Sequence, residues 1–158
     1  MSNLVITGVI DGPLTGGLPK AIQLFALDDI ADLSAYSAGS ANNGGGSAGA
    51  EFTFPAQPAS KGTYLYIATE STGFASYFGF APDFISSSAA SINGDDAIEL
   101  FLDGQLVDVF GDVNVDGTGQ AWDYLDGWAS RKPGSVPGAT FDPADWIFSG
   151  PDALDGTL

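Results

Sequence analysis

The sequence predicts an all-β fold, and three observations predict it. The 158 residues include 22 Gly and 9 Pro, so the chain turns often and has few uninterrupted stretches for helix. Asp outnumbers Glu by 17 to 3, which favours the residue that makes turns over the one that makes helices. The runs Ala97 to Leu102 and Gln105 to Phe110 alternate in polarity around Asp103-Gly104, a strong short-range hairpin signal. A hydrophobic content of 44%, with 11 Phe, 5 Tyr and 3 Trp, is enough to bury a core. The length fits one domain over 1–158.

Taken in order, Leu4 to Ile10 and Lys20 to Ala26 read as strands, separated by turns at Asp11-Gly12-Pro13 and Gly16-Gly17-Leu18-Pro19. Residues 37–50 hold only Ser, Ala, Gly and Asn, and read as a flexible loop or an excursion at a sheet edge. Glu51 to Phe54 and Thr63 to Ala68 read as strands. In the second, Tyr64, Tyr66 and Ala68 alternate with Leu65 and Ile67. Phe74, Tyr77 and Phe78 recur at spacings of three and four after a polar start, which predicts one short helix near 72–79, plugging an end of the barrel or sandwich. Asp83 to Ser91 reads as loop. Trp128 to Lys132 and Asp145 to Phe148 complete the strands.

A two-residue turn at 103–104 sets Leu102 opposite Gln105, Leu100 opposite Val107 and Glu99 opposite Asp108. Ile98, Leu100, Leu102, Val107 and Val109 would then face the core. Glu99 and Asp108 would meet as like charges, destabilising by a few tenths to about 1 kcal/mol. Arg131 or Lys132 could offset this, as could solvent, a bound cation or a different register.

Charge and composition exclude several functions. Four Lys+Arg against 20 Asp+Glu give a net charge of −16, which opposes nucleic-acid binding through direct phosphate contacts. The chain has no His and no Cys, so it lacks the parts of a Ser-His-Asp or Cys-His nucleophile, a conventional zinc site or a disulfide. Met1-Ser2-Asn3 has no basic lead, and no N-terminal signal peptide is visible. The uncharged stretch Phe52 to Ser60 is too short and too Pro-broken to cross a bilayer, so a soluble chain without a transmembrane segment is expected.

What remains is oxygen chemistry, and the acids are concentrated for it: nine lie between Asp95 and Asp126, with no base among them. Asp112-x-Asn114-x-Asp116-Gly117, closed by Asp123, has the spacing of an EF-type calcium loop. Its ligands would be Asp112, Asn114, Asp116, the Thr118 carbonyl, Gln120 and Asp123. The preceding strand and the short closing Asp depart from that pattern, and the same residues also read as turn formers. Asn93-Gly94-Asp95-Asp96 reads as a turn whose Asp side chains accept nearby N–H groups, with a second acidic site as the other reading. Tyr64, Tyr66, Trp122, Tyr124 and Trp128 could form a sugar-stacking platform or belong to the core. A paired-carboxylate hydrolase would need two acids about 5 to 9 Å apart in a cleft, and the sequence selects no such pair.

Several segments together carry a resemblance to a known family. They are Asn93-Gly-Asp-Asp-Ala-Ile-Glu-Leu100, Val107-Asp-Val-Phe-Gly111, an Asp116-Gly loop ending in Trp122, Arg131-Lys132, Asp145-Trp146 and, near the start, a second strand Lys20-Ala-Ile-Gln-Leu24. With them, most of 4–155 resembles the bacterial lamin-tail-like domain family. Gln23 stands where that family usually has Glu, and the 37–50 segment is longer than its usual connection. The resemblance implies an immunoglobulin-like β-sandwich that is not itself catalytic. It also implies an accessory or adhesive module in a secreted or cell-surface bacterial protein, beside nucleases, phosphatases or large calcium-binding proteins. Its partners would be neighbouring domains or a protein or polysaccharide surface, and the chain would be an excerpt of a longer protein or would act alone. The alternative is a structural subunit that self-associates through strand edges, with Leu4 to Ile10 or the 37–50 loop as the joining piece.

Overall fold

The computed structural model describes residues 1–157 and is all-β in two sheets, with one α-helix. The strands are β1 Leu4–Leu14, β2 Leu18–Ala26, β3 Tyr36–Ala41, β4 Phe52–Thr53 and β5 Tyr64–Ala68. They continue with β6 Phe84–Ile85, β7 Ala97–Leu102, β8 Gln105–Phe110, β9 Trp128–Arg131 and β10 Trp146–Phe148. The helix α1 is Thr72–Phe78. One sheet has the order β10-β9-β1-β2-β5-β6, and the other β4-β3-β7-β8. They pack as a sandwich because alternation gives each an apolar inner face: Leu4, Ile6, Ile22, Leu24 and Ile67 on one side, Ala38, Ile98, Leu100 and Phe110 on the other. Phe54, Ile92, Trp122, Tyr124 and Trp146 belong to the same buried core.

Several expectations change. β1 runs four residues past Ile10, because Asp11 pairs with Lys20 across the ladder and their side chains form a 2.7 Å ion pair. The chain reverses only at Gly16 and Gly17, both at positive φ. β1 lies between β2 and β9, so it is an interior strand and not a joining edge. Nor is 37–50 a free loop. Tyr36–Ala41 is wholly buried and pairs with β4 and β7. Its small side chains suit a strand covered on both faces: a Cβ at Gly39 would collide with the Gly49 carbonyl of the returning chain. Asp83 to Ser91 contains β6, which adds to β5 in parallel. The 72–79 helix forms, with Gly79 left-handed at its C-terminus, but it lies on the outer face of the six-stranded sheet, where Phe74 packs on Ala21 and Ala68. Glu70 satisfies the N–H groups of Gly73 and Phe74.

The β7–β8 hairpin turns at Asp103 and Gly104 with φ of 51° and 79°, as a two-residue primed turn requires. Leu102 faces Gln105 as expected, but the ladder then slips: Phe101 faces Leu106 while Leu100 faces Asp108. Val107 is the extra residue of a β-bulge. The slip turns Asp108 and Phe110 inward, takes Val109 out of the core cluster, and sets Glu99 opposite Val109 instead of Asp108. Glu99 accepts from Ser47 Oγ at 2.6 Å. Asp108 accepts from Arg131 at 2.7 and 2.8 Å and from the N–H groups of Ile6 and Gly138. Arg131 also donates to the Ile6 carbonyl and lies over the Trp146 ring at 4.7 Å. This buried tie joins β8 of one sheet to β1, β9 and β10 of the other. Burial is the larger influence on Asp108 and pushes its carboxyl up, against the pull of Arg131.

Candidate functional site

Three places on this scaffold bring chemistry together. The first is the loop after β8. Gly111 turns the chain at φ 80°, and the acids then close small turns on themselves. Asp112 accepts from Asn114 N, Asp116 from Thr118 N, and Asp123 from both Gly119 N and Leu125 N. The Thr118 N–H holds the Asp116 carboxyl below the usual carboxylate range. Asp112, Asn114 and Gln120 line a hollow of about 460 Å³ with Trp122 and Phe141. The loop is gripped from outside, Gly117 N donating to Asp95 O and Gly46 N to Val113 O. Asp95 accepts from Thr118 Oγ1, and burial, then its neighbour Asp96, raises its carboxyl.

The Asn93 to Asp96 turn behaves as the sequence suggests. Asp96 accepts from the N–H groups of Asn93 and Asn43, and the Asn93 side-chain amide reaches Asp95 and Asp96 at 2.6 Å each. Among the described residues, the three carboxylates that converge within 4.8 Å are Asp126, Asp152 and Asp155, not those of 112–123. The C-terminal segment brings two of them: Leu154 N donates to Asp126 O, and Asp152 N to Leu125 O. No local signal in the sequence marks this grouping, since Asp126 stands 26 residues before Asp152.

The third place is a trough of about 320 Å³ on the outer face of the six-stranded sheet. Its floor is Gly8, Ile10, Ala21, Gln23 and Ser130, short enough to leave a depression. One wall is Tyr66 with Phe74, Phe78 and Phe80, and the other is Trp128 with Leu154. β5 and β9 are three strands apart, so the strands bearing the walls are separated by about 14 Å. The aromatic wall is self-packed, its ring centroids 4.8 to 6.0 Å apart. Phe78 and Phe80 nevertheless remain 39% and 45% exposed, an excess of apolar surface that folding alone does not use. Gln23 is fixed between Thr7 and the Tyr66 hydroxyl, and Tyr77 reaches Thr157 at 2.8 Å. Of the five aromatics that could have formed a sugar platform, Tyr66 and Trp128 line this trough, Tyr64 lies beyond it, and Trp122 and Tyr124 are core. Sequence reading missed the trough because it depends on strand order.

No helix among the described residues is long and apolar enough to cross a membrane. No family model matches the chain, and no curated protein or solved structure matches it.

Proposed function

We propose that the chain is a non-catalytic binding module of a secreted or cell-surface bacterial protein, an immunoglobulin-like sandwich of the lamin-tail-like kind. The observation that carries the reading is the aromatic-walled trough, held on the outer face of a sheet whose other face is core. A rigid scaffold with an exposed apolar recess is suited to binding. Retention on insoluble bacterial polysaccharide or on whole cells tests it: the chain is expected to be retained, and Phe78→Ala/Phe80→Ala to release it. Failure of retention, together with reversible self-association in sedimentation, would replace it with a structural subunit.

Calcium enters as a stabilising ligand of the 112–123 loop, a part supported by Asp112, Asn114 and Gln120 sharing one hollow. Asp112, Asp116 and Asp123 already bond backbone N–H groups, so binding would require those turns to open. Millimolar calcium against excess EDTA is expected to raise the thermal midpoint, and Asp112→Ala/Asp116→Ala to abolish the rise. An unchanged midpoint would leave these residues as turn formers.

A further inference from the structure

We infer that the trough takes a small amphipathic cation, its apolar body between the aromatic wall and Trp128 and its charged head toward Asp126, Asp152 and Asp155. The inference deepens the binding-module reading and rests on it. Shape comes first: a recess of about 320 Å³ is at the lower end of small-ligand sites. Its floor of Gly8 and Ala21 between tall apolar walls suits a flat or extended hydrocarbon group.

The polar groups inside give little to a neutral polar ligand. Gln23 already bonds Thr7 and Tyr66, and among the described residues no charged side chain lines the trough. Charge selects the rest. Leu154, on one wall, stands between Asp152 and Asp155 in the chain, and its N–H donates to the backbone carbonyl of Asp126, so the three residues whose carboxylates converge lie beside that wall. On the other side Asp83 accepts from the N–H of Tyr66, and Glu70 caps α1. Two of the chain's four bases are engaged elsewhere, Lys20 with Asp11 and Arg131 with Asp108, and among the described residues no Lys or Arg lines the recess. Aromatic faces and a negative rim both favour a cation and disfavour an anion.

Calorimetric titration with three probes of similar shape tests this: phenethylammonium, phenethyl alcohol and hydrocinnamate. At low salt the ammonium is expected to bind at least about tenfold more tightly than the alcohol, with added salt narrowing the gap, and hydrocinnamate to bind least. Phe78→Ala/Phe80→Ala should weaken both ammonium and alcohol about tenfold or more. Asp152→Asn/Asp155→Asn, at exposed positions, should bring the ammonium down to the alcohol and leave the alcohol unchanged. Equal affinity for ammonium and alcohol, a preference that survives the Asn substitutions, or no binding of any probe would overturn the inference. Loss of the inference with retention on cell-surface material intact would leave the binding-module reading standing, whereas loss of both would remove it too.

Discussion

Replacing Arg131 with Met should expose how the two sheets are joined. Asp108 and the Arg131 side chain are 1% and 6% exposed, so removing the guanidinium leaves a carboxylate buried with only the N–H groups of Ile6 and Gly138 as partners. Breaking a buried pair from one side costs about 3 to 5 kcal/mol. Loss of the Ile6 carbonyl bond and of the contact with Trp146 acts in the same direction. For a chain of this size that is a fall of about 6 to 20 °C in thermal midpoint. Urea unfolding followed by tryptophan fluorescence measures it, since Trp146 lies in the affected layer. The loss should shrink towards pH 4, because Asp108, already raised by burial, rises further without Arg131, and its protonated form does not need the cation. Asp108→Asn/Arg131→Met should be more stable than Arg131→Met alone at neutral pH. A cost below about 1 kcal/mol, the range of an exposed pair, or a loss independent of pH would refute the reasoning.

Two further outcomes are expected. Gly44→Ala should destabilise the fold by about 1 to 3 kcal/mol, measurable by thermal unfolding, because Gly44 sits at φ 69° and a Cβ would lie 2.5 Å from Asp116 N. In the wild type, Asp11, Asp95 and Asp108 are all raised above 3.8, chiefly by burial. The folded state therefore holds protons that the unfolded state has released, and stability should fall as pH climbs from 3.8 through the raised values. A thermal midpoint that rises steadily over that interval would contradict this.

Much of the fold was legible because hydrophobic alternation decides it. Leu65 and Ile67, Ile22 and Leu24, and the Asp103-Gly104 turn identified strands that formed. The rest depended on contacts distant in the chain. Residues 37–41 resemble a linker by composition, yet they are strand because the chain packed on both of their faces leaves room only for small side chains. The bulge at Val107 was hidden because a hairpin turn fixes register only until an extra residue resets it. Its cause, Arg131 drawing Asp108 inward, lies 23 residues away. The candidate site was less legible still: the acids of 112–123 advertised themselves by spacing, whereas the trough needed β9 and β5 to enter the same sheet on either side of β1 and β2.

The interior place of β1 also bears on how the chain is made. Its partner β2 follows at once, but its other partner, β9, is Trp128–Arg131. Until Trp128–Arg131 has been synthesised, one side of β1 offers unpaired N–H and C=O groups over Gly8 to Ile10. A chain that stops short of β9 would thus expose the kind of open border that invites pairing with a neighbour, and the arrival of β9 would itself be the step that closes it.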